Sequence, residues 1–436
     1  MSTGALPGFR DFYPLEFAER AAIAQSWRDV AHRYGFIEYD GPPLEPTELY
    51  TKKSGEEIVG QLYTFTDKGG RSVALRPEMT PTLARMVAAR ANALPKPVRW
   101  FSIPQLFRYE RQQRGRLREH FQLNVDIVGE ADVRADAELV CCALDMLRAL
   151  GLSGEDIVAR FSDRRVLNLI LMNHRVPRDA FASVYAVLDK FHRQPRDASA
   201  AKLVSAGLTA AQADALFADV DRVATSGGGI TADTGDAGED RAGAEALAAI
   251  GRYQEYVGAL LGAPSRDWVQ WDLSIVRGLA YYTGIVFEIF DRRGQLRAIC
   301  GGGRYDGLLA AAGGPDLPAL GFGMGDVVLT ELLRDRGLLQ PGLPRLDYWV
   351  AAEGDDAESA TAVNTLAGQL RRAGKSVEYA FRWSSLGRQL KAASTARARR
   401  AVIVKRDAAA TSMVTVKDLD TGDENTVRLD SWIAQA

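Results

Sequence analysis

The sequence predicts an α+β protein in which a sheet domain carries a helical insertion and is followed by a small α/β domain. Short strand-like runs broken by Gly and Pro follow one another between residues 36 and 129, which favours an antiparallel sheet. Residues 164–265 are rich in Ala and Leu with helical periodicity, and strand patterns return at 269–299. After residue 333 strand and helix patterns alternate, which is typical of an α/β domain with a mixed sheet.

The first predicted helix spans residues 15–34 and precedes the strand-like runs. Apolar side chains recur in it at helical spacing: Phe17, Ala21, Ala24, Trp27 and Ala31. Gly35 is placed to end the helix, because glycine readily adopts the left-handed conformation that follows a last helical turn. The strand-like runs are FIEYDGPPLE, QLYTFTD, SVALRPE, VRWFSIPQLFRYE and FQLNVDIVG. A helix at 133–150 and a strand at 158–163 complete this part of the pattern.

Shifts in composition define the boundaries of the predicted domains. The sheet domain covers residues 1–333, with the helical insertion at about 164–265 and a polar, glycine-rich loop expected at 226–240. Two prolines and two glycines in RDRGLLQPGLPR indicate a linker at 334–345. Residues 346–436 form the predicted α/β domain, which is closed by a hairpin near its end.

Composition and charge exclude several classes of function. The chain of 436 residues has 47% apolar and 25% charged residues, which is ordinary for a soluble globular protein. It contains no run of about 18 uncharged apolar residues and no basic or apolar leader, so we expect a cytoplasmic protein without a membrane span. The three cysteines form no C-x-x-C pair, and no two of the four histidines stand at metal-binding spacing. We therefore expect neither a disulfide framework nor a metal ion held by the protein.

An arginine-dense stretch, FRYERQQRGRLREHFQ (107–122), is the first candidate for chemistry. Five arginines fall between Arg108 and Arg118, with Gly115 between two of them. Guanidinium groups are planar, permanently charged forks that suit the oxygens of a triphosphate. A solvated basic hairpin would carry the same residues, so the spacing alone leaves both interpretations open.

Three downstream segments contribute a cation, phenols and glycines. SIVRGLAYYTGIVFEIF (274–290) places Arg277 in an apolar strand–turn–strand pattern, where it either needs a partner or reaches solvent from a strand end. CGGGRYDGLL (300–309) has three glycines that let backbone approach a ligand closely, although a tight turn would look the same. GFGMGDVVLTELL (321–333) is a glycine-rich strand that leads into an apolar helix, which alone is a weak signal.

Together these motifs resemble those of the histidyl-tRNA synthetases, a class II aminoacyl-tRNA synthetase family. The resemblance runs from Pro7 to the C-terminus and includes PGFRDFYP, LRPEMTPTLAR, FRYERQQRGRLREHFQ, RGLAYYTG, GGRYDGL and VTVKDLDTG. RGLAYYTG and GGRYDGL are highly specific to this family and its close paralogues, and YGFIEYDGPPLEP resembles its dimer-forming motif. The resemblance implies a class II antiparallel sheet flanked by helices, a helical insertion and a C-terminal anticodon-binding domain. It also implies a homodimer that activates histidine with ATP and transfers it to tRNA(His).

The resemblance further implies which residues bind ATP, which enters as its Mg²⁺ complex. Arg108 would hold the α-phosphate, and Arg277 would lie across the histidine carboxylate and that phosphate, so both are expected catalytic residues. Glu110 would help to place the adenosine end. The remaining expected ATP-binding residues are Arg114, Arg116 and Arg304. No general base is required, because the attacking carboxylate is already ionised and catalysis comes from positioning and charge stabilisation.

Selection of histidine requires groups that read both nitrogens of its ring. By the same resemblance, the expected histidine-binding residues are Glu78, Thr80, Gln122, Asp126, Arg277, Tyr281, Tyr282 and Tyr305. An acidic acceptor together with a phenol or an amide can satisfy a donor and an acceptor on the imidazole. Such a pocket rejects apolar isosteres, because its polar groups would remain unpaired.

A basic segment near the C-terminus is the expected contact for tRNA. The net charge of the chain is −2, so any contact with nucleic acid must come from a local patch. Residues 382–406 contain eight basic and no acidic residues, whereas a merely solvated helix face would normally alternate in sign. The expected tRNA-binding residues of this segment are Arg388, Lys391, Arg397, Arg399 and Arg400. Gln113 and Arg118, in the arginine-dense stretch, are candidates for touching the acceptor end.

Two positions depart from the family pattern. Ala280 stands where aspartate is usual, and Val328 stands where class II enzymes normally place an arginine against ATP. We expect Val328 to pack at the strand–helix junction, because its neighbours are apolar. The missing charge could be supplied by Arg114, Arg116 or Arg304, and the sequence does not distinguish among them.

Two other functions are compatible with parts of the pattern. A catalytically silent histidine-binding paralogue, acting as the regulatory subunit of ATP phosphoribosyltransferase in histidine biosynthesis, would keep the histidine-binding core without charging tRNA. Such subunits usually lack the anticodon-binding domain, which this sequence retains with a basic surface. A synthetase for another amino acid with this type of C-terminal domain conflicts with RGLAYYTG and GGRYDGL. The sequence therefore favours the histidine ligase.

Overall fold

The chain folds into two compact units, Met1–Pro341 and Gly342–Ala436. The computed structural model describes residues 4–51, 59–111, 115–191, 194–226, 228–276, 282–339, 342–406 and 412–433. The first unit combines a large sheet with helices, and the second is a smaller α/β unit. The predicted α+β fold class is confirmed.

The first half of unit 1 alternates between helices and short strands. Its elements are α1 (Pro14–Arg33), β1 (Ile37–Glu38), β2 (Leu44–Pro46), α2 (Glu48–Thr51), β3 (Tyr63–Thr66), β4 (Ser72–Leu75), α3 (Thr80–Arg90), β5 (Val98–Ser102), β6 (Gln105–Phe107), β7 (Glu119–Val128), α4 (Val133–Ala149) and β8 (Ile157–Asp163).

The second half of unit 1 begins with a run of helices and then returns to strands. The helical run contains α5 (Arg164–Asn173), α6 (Phe181–Leu188), α7 (Arg196–Ser205), α8 (Ala210–Ser226) and α9 (Ala237–Leu261). The elements that follow are β9 (Val269–Trp271), β10 (Ile285–Asp291), β11 (Cys300–Arg304), α10 (Leu308–Ala311), β12 (Ala319–Gly325) and α11 (Asp326–Asp335).

The main sheet has nine strands among the described residues, in the order β1-β5-β7-β12-β11-β10-β8-β9, with β6 paired to β7. Every pair from β5 to β8 along this order is antiparallel, as predicted, whereas the outer pairs β1–β5 and β8–β9 are parallel. A parallel neighbour needs a long crossover connection. The helices α5–α9 form that crossover between β8 and β9. The helical run therefore explains why these two strands can pair in parallel.

A separate three-stranded sheet, β2-β4-β3, takes up some of the runs expected in the main sheet. The run FIEYDGPPLE contains both β1, which pairs with β5, and β2, which pairs with β4. Pro42 and Pro43 lie between the two strands and lack the N–H that a continuous ladder needs. The prolines therefore divide one strand-like run between two sheets.

The apolar face of α1 differs from the predicted one at its start. Trp27 and Ala31 are buried as expected, together with Ile23 and Val30, but Phe17 is 51% exposed. The apolar stripe that packs into the core therefore begins six residues later than the sequence pattern indicates, at Ile23.

The start of α9 also differs from the sequence expectation, because the helix begins at Ala237, inside the segment expected to be a loop. The Asp236 side chain accepts hydrogen bonds from the backbone N–H groups of Gly238 and Glu239 at 2.8 and 3.1 Å. This cap satisfies donors that would otherwise be unpaired at the helix start. Buried Tyr253 of α9 then packs on Phe161 of β8, with ring centroids 4.7 Å apart, which joins the helical run to the sheet.

The second unit is an α/β unit with a mixed five-stranded sheet among its described residues. Its elements are β13 (Tyr348–Ala352), α12 (Ala357–Arg372), β14 (Val377–Tyr379), α13 (Leu386–Thr395), β15 (Arg400–Val404), β16 (Met413–Asp418), β17 (Glu424–Arg428) and α14 (Leu429–Ile433). The strand order is β14-β13-β15-β16-β17. The pairs joined by helices are parallel, and β16–β17 form the hairpin that the sequence predicts.

Candidate active site

A cavity of about 370 Å³ lies against one face of the main sheet. Its floor is formed by β7, where His120, Gln122, Asn124 and Asp126 line the cavity. Successive side chains of a strand point to opposite faces, so these alternate residues face the cavity while Leu123, Val125 and Ile127 enter the core. The sequence predicts Gln122 and Asp126 here; it did not single out His120 or Asn124.

Glycines of β12 make room for the polar side chains of β7. Gly321 pairs with Asp126, and a Cβ atom on Gly321 would lie 2.1 Å from Asp126 Oδ1. A Cβ atom on Gly323 would lie 2.9 Å from Gln122 Cδ. No side chain fits at such distances, so the glycine-rich strand GFGMG is what allows two polar side chains to lie along the cavity floor.

Asp126 is a buried acid without an ion-pair partner among the described residues. It is 4% exposed and accepts a hydrogen bond from the Tyr305 hydroxyl. Burial raises the pKa of Asp126 from 3.8 to about 7, against the lowering effect of the Tyr305 hydrogen bond. Three more of the expected histidine-binding residues line the same cavity: Tyr282, Glu78 and Thr80. With Gln122, Asp126 and Tyr305, six of the eight expected histidine-binding residues therefore come together around it.

The hairpin that contains the arginine-dense stretch forms another part of the cavity wall. Arg108 and Arg116 both line the cavity, and the Arg108 Nε donates a hydrogen bond to the Pro77 carbonyl at 2.9 Å. Arg116 forms an ion pair with Glu110, which is 7% exposed. Burial, with a contribution from the positive charge of Arg108, lowers the pKa of His120 to about 3 and keeps that ring neutral. This wall of the cavity therefore contains three of the expected ATP-binding residues, Arg108, Glu110 and Arg116.

Val328 lines the cavity and is also part of the main core, as expected for a residue at a strand–helix junction. Its Cγ2 atom would lie 3.1 Å from a Cβ atom on Gly115. The valine therefore packs against Gly115, and the cavity has an apolar surface at the position where the family resemblance implies an arginine.

Arg297 is a cavity residue that the sequence analysis missed. It lies in the turn between β10 and β11 and lines the cavity together with Ala298 and Ile299. The turn reads DRRGQLRAI, which in a sequence alone is indistinguishable from a solvated polar loop. Only the pairing of β11 with β12 brings this turn to the cavity.

The structure places Arg304, an expected ATP-binding residue, outside the lining of the central cavity. Tyr305 lines the central cavity, but the Arg304 side chain does not, because neighbouring residues of an extended strand point to opposite faces. Arg304 is 8% exposed at its side chain and pairs with buried Asp136 of α4 at 2.5 Å. It also donates a hydrogen bond to the Glu130 carbonyl at 2.9 Å. The Arg304 guanidinium is already paired within the protein, where it holds α4 against the sheet. It therefore does not supply the positive charge that Val328 lacks.

We expect the Arg304→Gln variant to lose stability, with little change in its affinity for ATP. The substitution would leave Asp136 buried without its cation, which costs about 3–5 kcal/mol. Thermal melting should show a drop on the order of 10 °C. The double variant Arg304→Gln with Asp136→Asn is the control, because it removes both charges and should recover part of the loss. A stable Arg304→Gln protein with impaired ATP binding would return Arg304 to the ATP site.

The expected acceptor-end residue Arg118 is engaged by its own hairpin. Its guanidinium lies 4.1 Å from the centre of the Tyr109 ring, and its Nε donates to the Glu110 carbonyl at 3.3 Å. The other expected acceptor-end residue, Gln113, lies outside the described residues. The same is true of Arg114, Ala280 and two expected histidine-site residues, Arg277 and Tyr281.

The basic segment of the second unit forms an exposed surface on α13 and the start of β15. All five expected tRNA-binding residues of this segment are exposed: Arg388, Lys391, Arg397, Arg399 and Arg400. Arg400 has a distant acidic neighbour, Asp418, at 3.7 Å. Phe381 and Trp383, which the sequence analysis did not select, are 92% and 53% exposed and flank Arg382 in the same basic segment. Exposed aromatic rings among cations suit the stacking of nucleic-acid bases.

No helix in the part of the chain that the structure describes is both long enough and apolar enough to cross a membrane.

Comparison with known proteins gives one consistent result. The sequence profile described as histidyl-tRNA synthetase matches residues 8–326, and the profile described as anticodon binding domain matches residues 350–435. The chain is 42% identical over 427 residues to a histidine–tRNA ligase of Opitutus terrae, which covers 97% of this chain and 95% of that protein. It is 40% identical over 423 residues to the chloroplastic/mitochondrial histidine–tRNA ligase of Arabidopsis thaliana, covering 97% of this chain and 84% of that protein. The crystal structure of a histidyl-tRNA synthetase from Nostoc sp. PCC 7120 matches with a TM-score of 0.78 at 25% identity, covering 100% of this chain and 99% of that one. The chain therefore belongs to the histidyl-tRNA synthetase family.

Proposed function

We infer that the chain is a histidine–tRNA ligase, which forms histidyl-adenylate from histidine and ATP and transfers the histidyl group to the 3′ end of tRNA(His). The observation that carries this inference is the composition of one cavity. It joins a buried acid held by a tyrosine, Asp126 and Tyr305, to a wall with the cations Arg108 and Arg116. The first pair suits an imidazole ring, and the second suits phosphate oxygens.

Adenylation needs positioning and charge stabilisation more than proton transfer. The histidine carboxylate attacks the α-phosphorus of MgATP, and pyrophosphate leaves. The nucleophile is ionised at neutral pH, so a general base is unnecessary, and His120 with its lowered pKa is not needed as one. Negative charge that accumulates on the α-phosphate must be met by fixed donors.

We propose that Arg108 binds the α-phosphate and that Arg277 bridges that phosphate and the histidine carboxylate. Arg108 is held by the Pro77 carbonyl, which fixes the direction of its guanidinium. Arg116 reaches the outer phosphates, and Arg114 is a further candidate for that end. The Arg116–Glu110 ion pair would have to loosen as ATP binds, which leaves Glu110 able to contact the adenosine end.

Histidine would be selected at the end of the cavity formed by Asp126 and Tyr305. The buried carboxylate can accept a hydrogen bond from a ring N–H, and a phenol or amide can serve the other ring nitrogen. Tyr282, Gln122, Thr80 and Glu78 complete this proposed pocket, with Tyr281 as a candidate from the family motif. An apolar side chain would leave the carboxylate buried and unpaired, which disfavours its binding.

The alternative function, a histidine-binding regulatory subunit of ATP phosphoribosyltransferase, is not favoured. The second unit matches an anticodon-binding profile over residues 350–435 and carries the exposed basic surface. A regulatory subunit that never charges tRNA has no use for such a unit.

Histidine-dependent exchange between ATP and pyrophosphate, followed by charging of tRNA(His), tests the proposed function. The ligase should catalyse exchange with histidine and with no other amino acid, and should then charge the tRNA. Binding of histidine without any exchange would support the regulatory subunit instead.

We expect loss of the exposed cations of α13 to weaken tRNA charging while leaving adenylation intact. Replacing Arg388 and Lys391 by Gln removes two potential phosphate contacts and should raise the KM for tRNA by about tenfold. The matched control replaces Arg372, which is exposed at the end of α12, and Lys375, which is partly exposed three residues beyond it. Equal effects of the two double variants in charging assays at fixed salt would contradict a specific tRNA surface.

We also propose that the chain acts in the cytoplasm as a homodimer. The segment YGFIEYDGPPLEP, which resembles the dimer-forming motif of the family, exposes apolar Ile37 at 66% and Leu44 at 36%. Exposed apolar side chains in one segment suit burial against a second copy. Light scattering at micromolar concentration would distinguish a dimer from a monomer.

A further inference from the structure

The arginine side chains that line the cavity differ in whether a carboxylate of the protein already neutralises their charge. Among the residues that the structure describes, these arginines are Arg108, Arg116 and Arg297. Arg116 is paired with Glu110. Neither Arg108 nor Arg297 has a carboxylate within ion-pair distance in the described part of the chain. Among the described residues, no carboxylate therefore neutralises the charge of Arg108 or of Arg297, and both charges can attract a polyanionic ligand.

Arg297 lies at the same end of the cavity as Val328. Cys300 pairs with Met324 and Gly301 with Gly323 in the antiparallel β11–β12 ladder. The chain that precedes Cys300 therefore runs alongside the chain that follows Met324, where α11 begins. Both Arg297 and Val328 line the cavity, so an exposed cation shares the cavity wall with the apolar surface that Val328 forms.

The other arginines of the same turn show that Arg297 is not simply one of several solvated cations. The Arg292 side chain is held by the backbone carbonyls of Gly154, Ile157 and Asp267. Arg293 is exposed and does not line the cavity. Only the third arginine, Arg297, combines an exposed side chain with a position on the cavity wall.

We propose that Arg297 binds the phosphates of ATP and supplies the positive charge that Val328 cannot. This inference rests on the proposed function. A triphosphate needs several positive partners besides Mg²⁺. Arg304 is committed to Asp136, so the hairpin arginines and Arg297 remain as sources. An arginine in the turn before β11 thus contacts the phosphates that, in other class II enzymes, an arginine at the position of Val328 contacts.

Kinetics of ATP–pyrophosphate exchange with the full-length protein test the proposal. Arg297→Gln should raise the KM for ATP by about tenfold or more and change the KM for histidine by less than about twofold. Arg297→Lys keeps the charge and should recover most of the ATP affinity. The control is Arg293→Gln, which removes an exposed cation of the same turn away from the cavity and should behave as the parent protein.

Each result separates this proposal from the function on which it rests. An unchanged KM for ATP in an Arg297→Gln protein that exchanges normally would overturn the role of Arg297 and leave the ligase function intact. Equal increases in the KM for ATP and for histidine, with a lowered melting temperature, would assign Arg297 a structural role and also overturn the proposal. Absence of exchange in the parent protein would overturn the ligase function itself, and this inference with it.

Discussion

The Arg108→Ala variant is expected to form histidyl-adenylate more slowly than the parent protein by a factor on the order of several hundred. Arg108 lines the cavity, and its guanidinium is oriented by the Pro77 carbonyl at 2.9 Å. A donor fixed in advance stabilises developing charge without having to reorganise during the reaction. Removal of one such donor costs about 3–4 kcal/mol in the transition state.

Single-turnover adenylation at saturating ATP and histidine measures this effect apart from binding. The matched control is Arg111→Ala, which removes an exposed arginine three residues further along that does not line the cavity. It should retain nearly the full rate. Thermal melting of both variants excludes a folding defect as the cause. A folded Arg108→Ala protein with normal adenylation would remove Arg108 from the catalytic residues.

The family resemblance implied Gln122 and Asp126 as histidine-binding residues, and strand geometry explains why both side chains line one cavity. Gln122 and Asp126 are four residues apart on one strand, so they necessarily share a face. The glycines of GFGMG, opposite them in the sheet, leave the space that these side chains occupy. The glycine-rich strand alone was a weak signal in the sequence, and its pairing with β7 shows what its glycines make room for.

Arg304 shows where such local rules fail. It precedes Tyr305 in the sequence, and the two side chains take opposite faces, so a motif that contains both cannot assign both to one ligand. Its partner Asp136 is far away in the sequence, on α4, and only the folded structure brings the two together. Its position next to Tyr305 in the sequence therefore gave no indication that its charge is paired with buried Asp136.

Arg297 shows the opposite failure, since nothing in its surroundings in the sequence distinguishes it. Three arginines occur within six residues of one another in a polar turn, and they resemble a solvated loop. What distinguishes Arg297 is the register of β11 on β12, which extends the turn toward α11. Sheet register joins residues that are distant in sequence, so no local pattern could have identified this arginine.

The Asp126→Asn variant is expected to lose affinity for histidine and to gain stability. Burial raises the pKa of Asp126 from 3.8 to about 7, so the folded protein binds a proton more tightly there than the unfolded chain does. Stability from this group is therefore full at pH below 3.8 and is lost as pH rises through about 7. At pH 8 the ionised carboxylate costs on the order of 4 kcal/mol, which asparagine would not incur.

The melting temperature of ligand-free Asp126→Asn should thus exceed that of the parent protein at pH 8, and the difference should shrink by roughly half at pH 5.5. Histidine affinity should change in the other direction. A charge-assisted hydrogen bond to the ring would become a neutral one, which should raise the dissociation constant for histidine by about a hundredfold at pH 8.

A buried aspartate with an arginine partner provides the control for this pair of effects. Asp291, at the end of β10, is 4% exposed and accepts a hydrogen bond from Arg336 at 2.7 Å. Asp291→Asn should lower stability, because it removes the more deeply buried of the two carboxylates that pair with Arg336, and should not alter histidine binding. Calorimetric titration with histidine and melting curves at both pH values would decide the outcome. If Asp126→Asn were destabilised like the control and still bound histidine as the parent protein does, Asp126 would be a structural acid and the ring of histidine would be read elsewhere in the cavity.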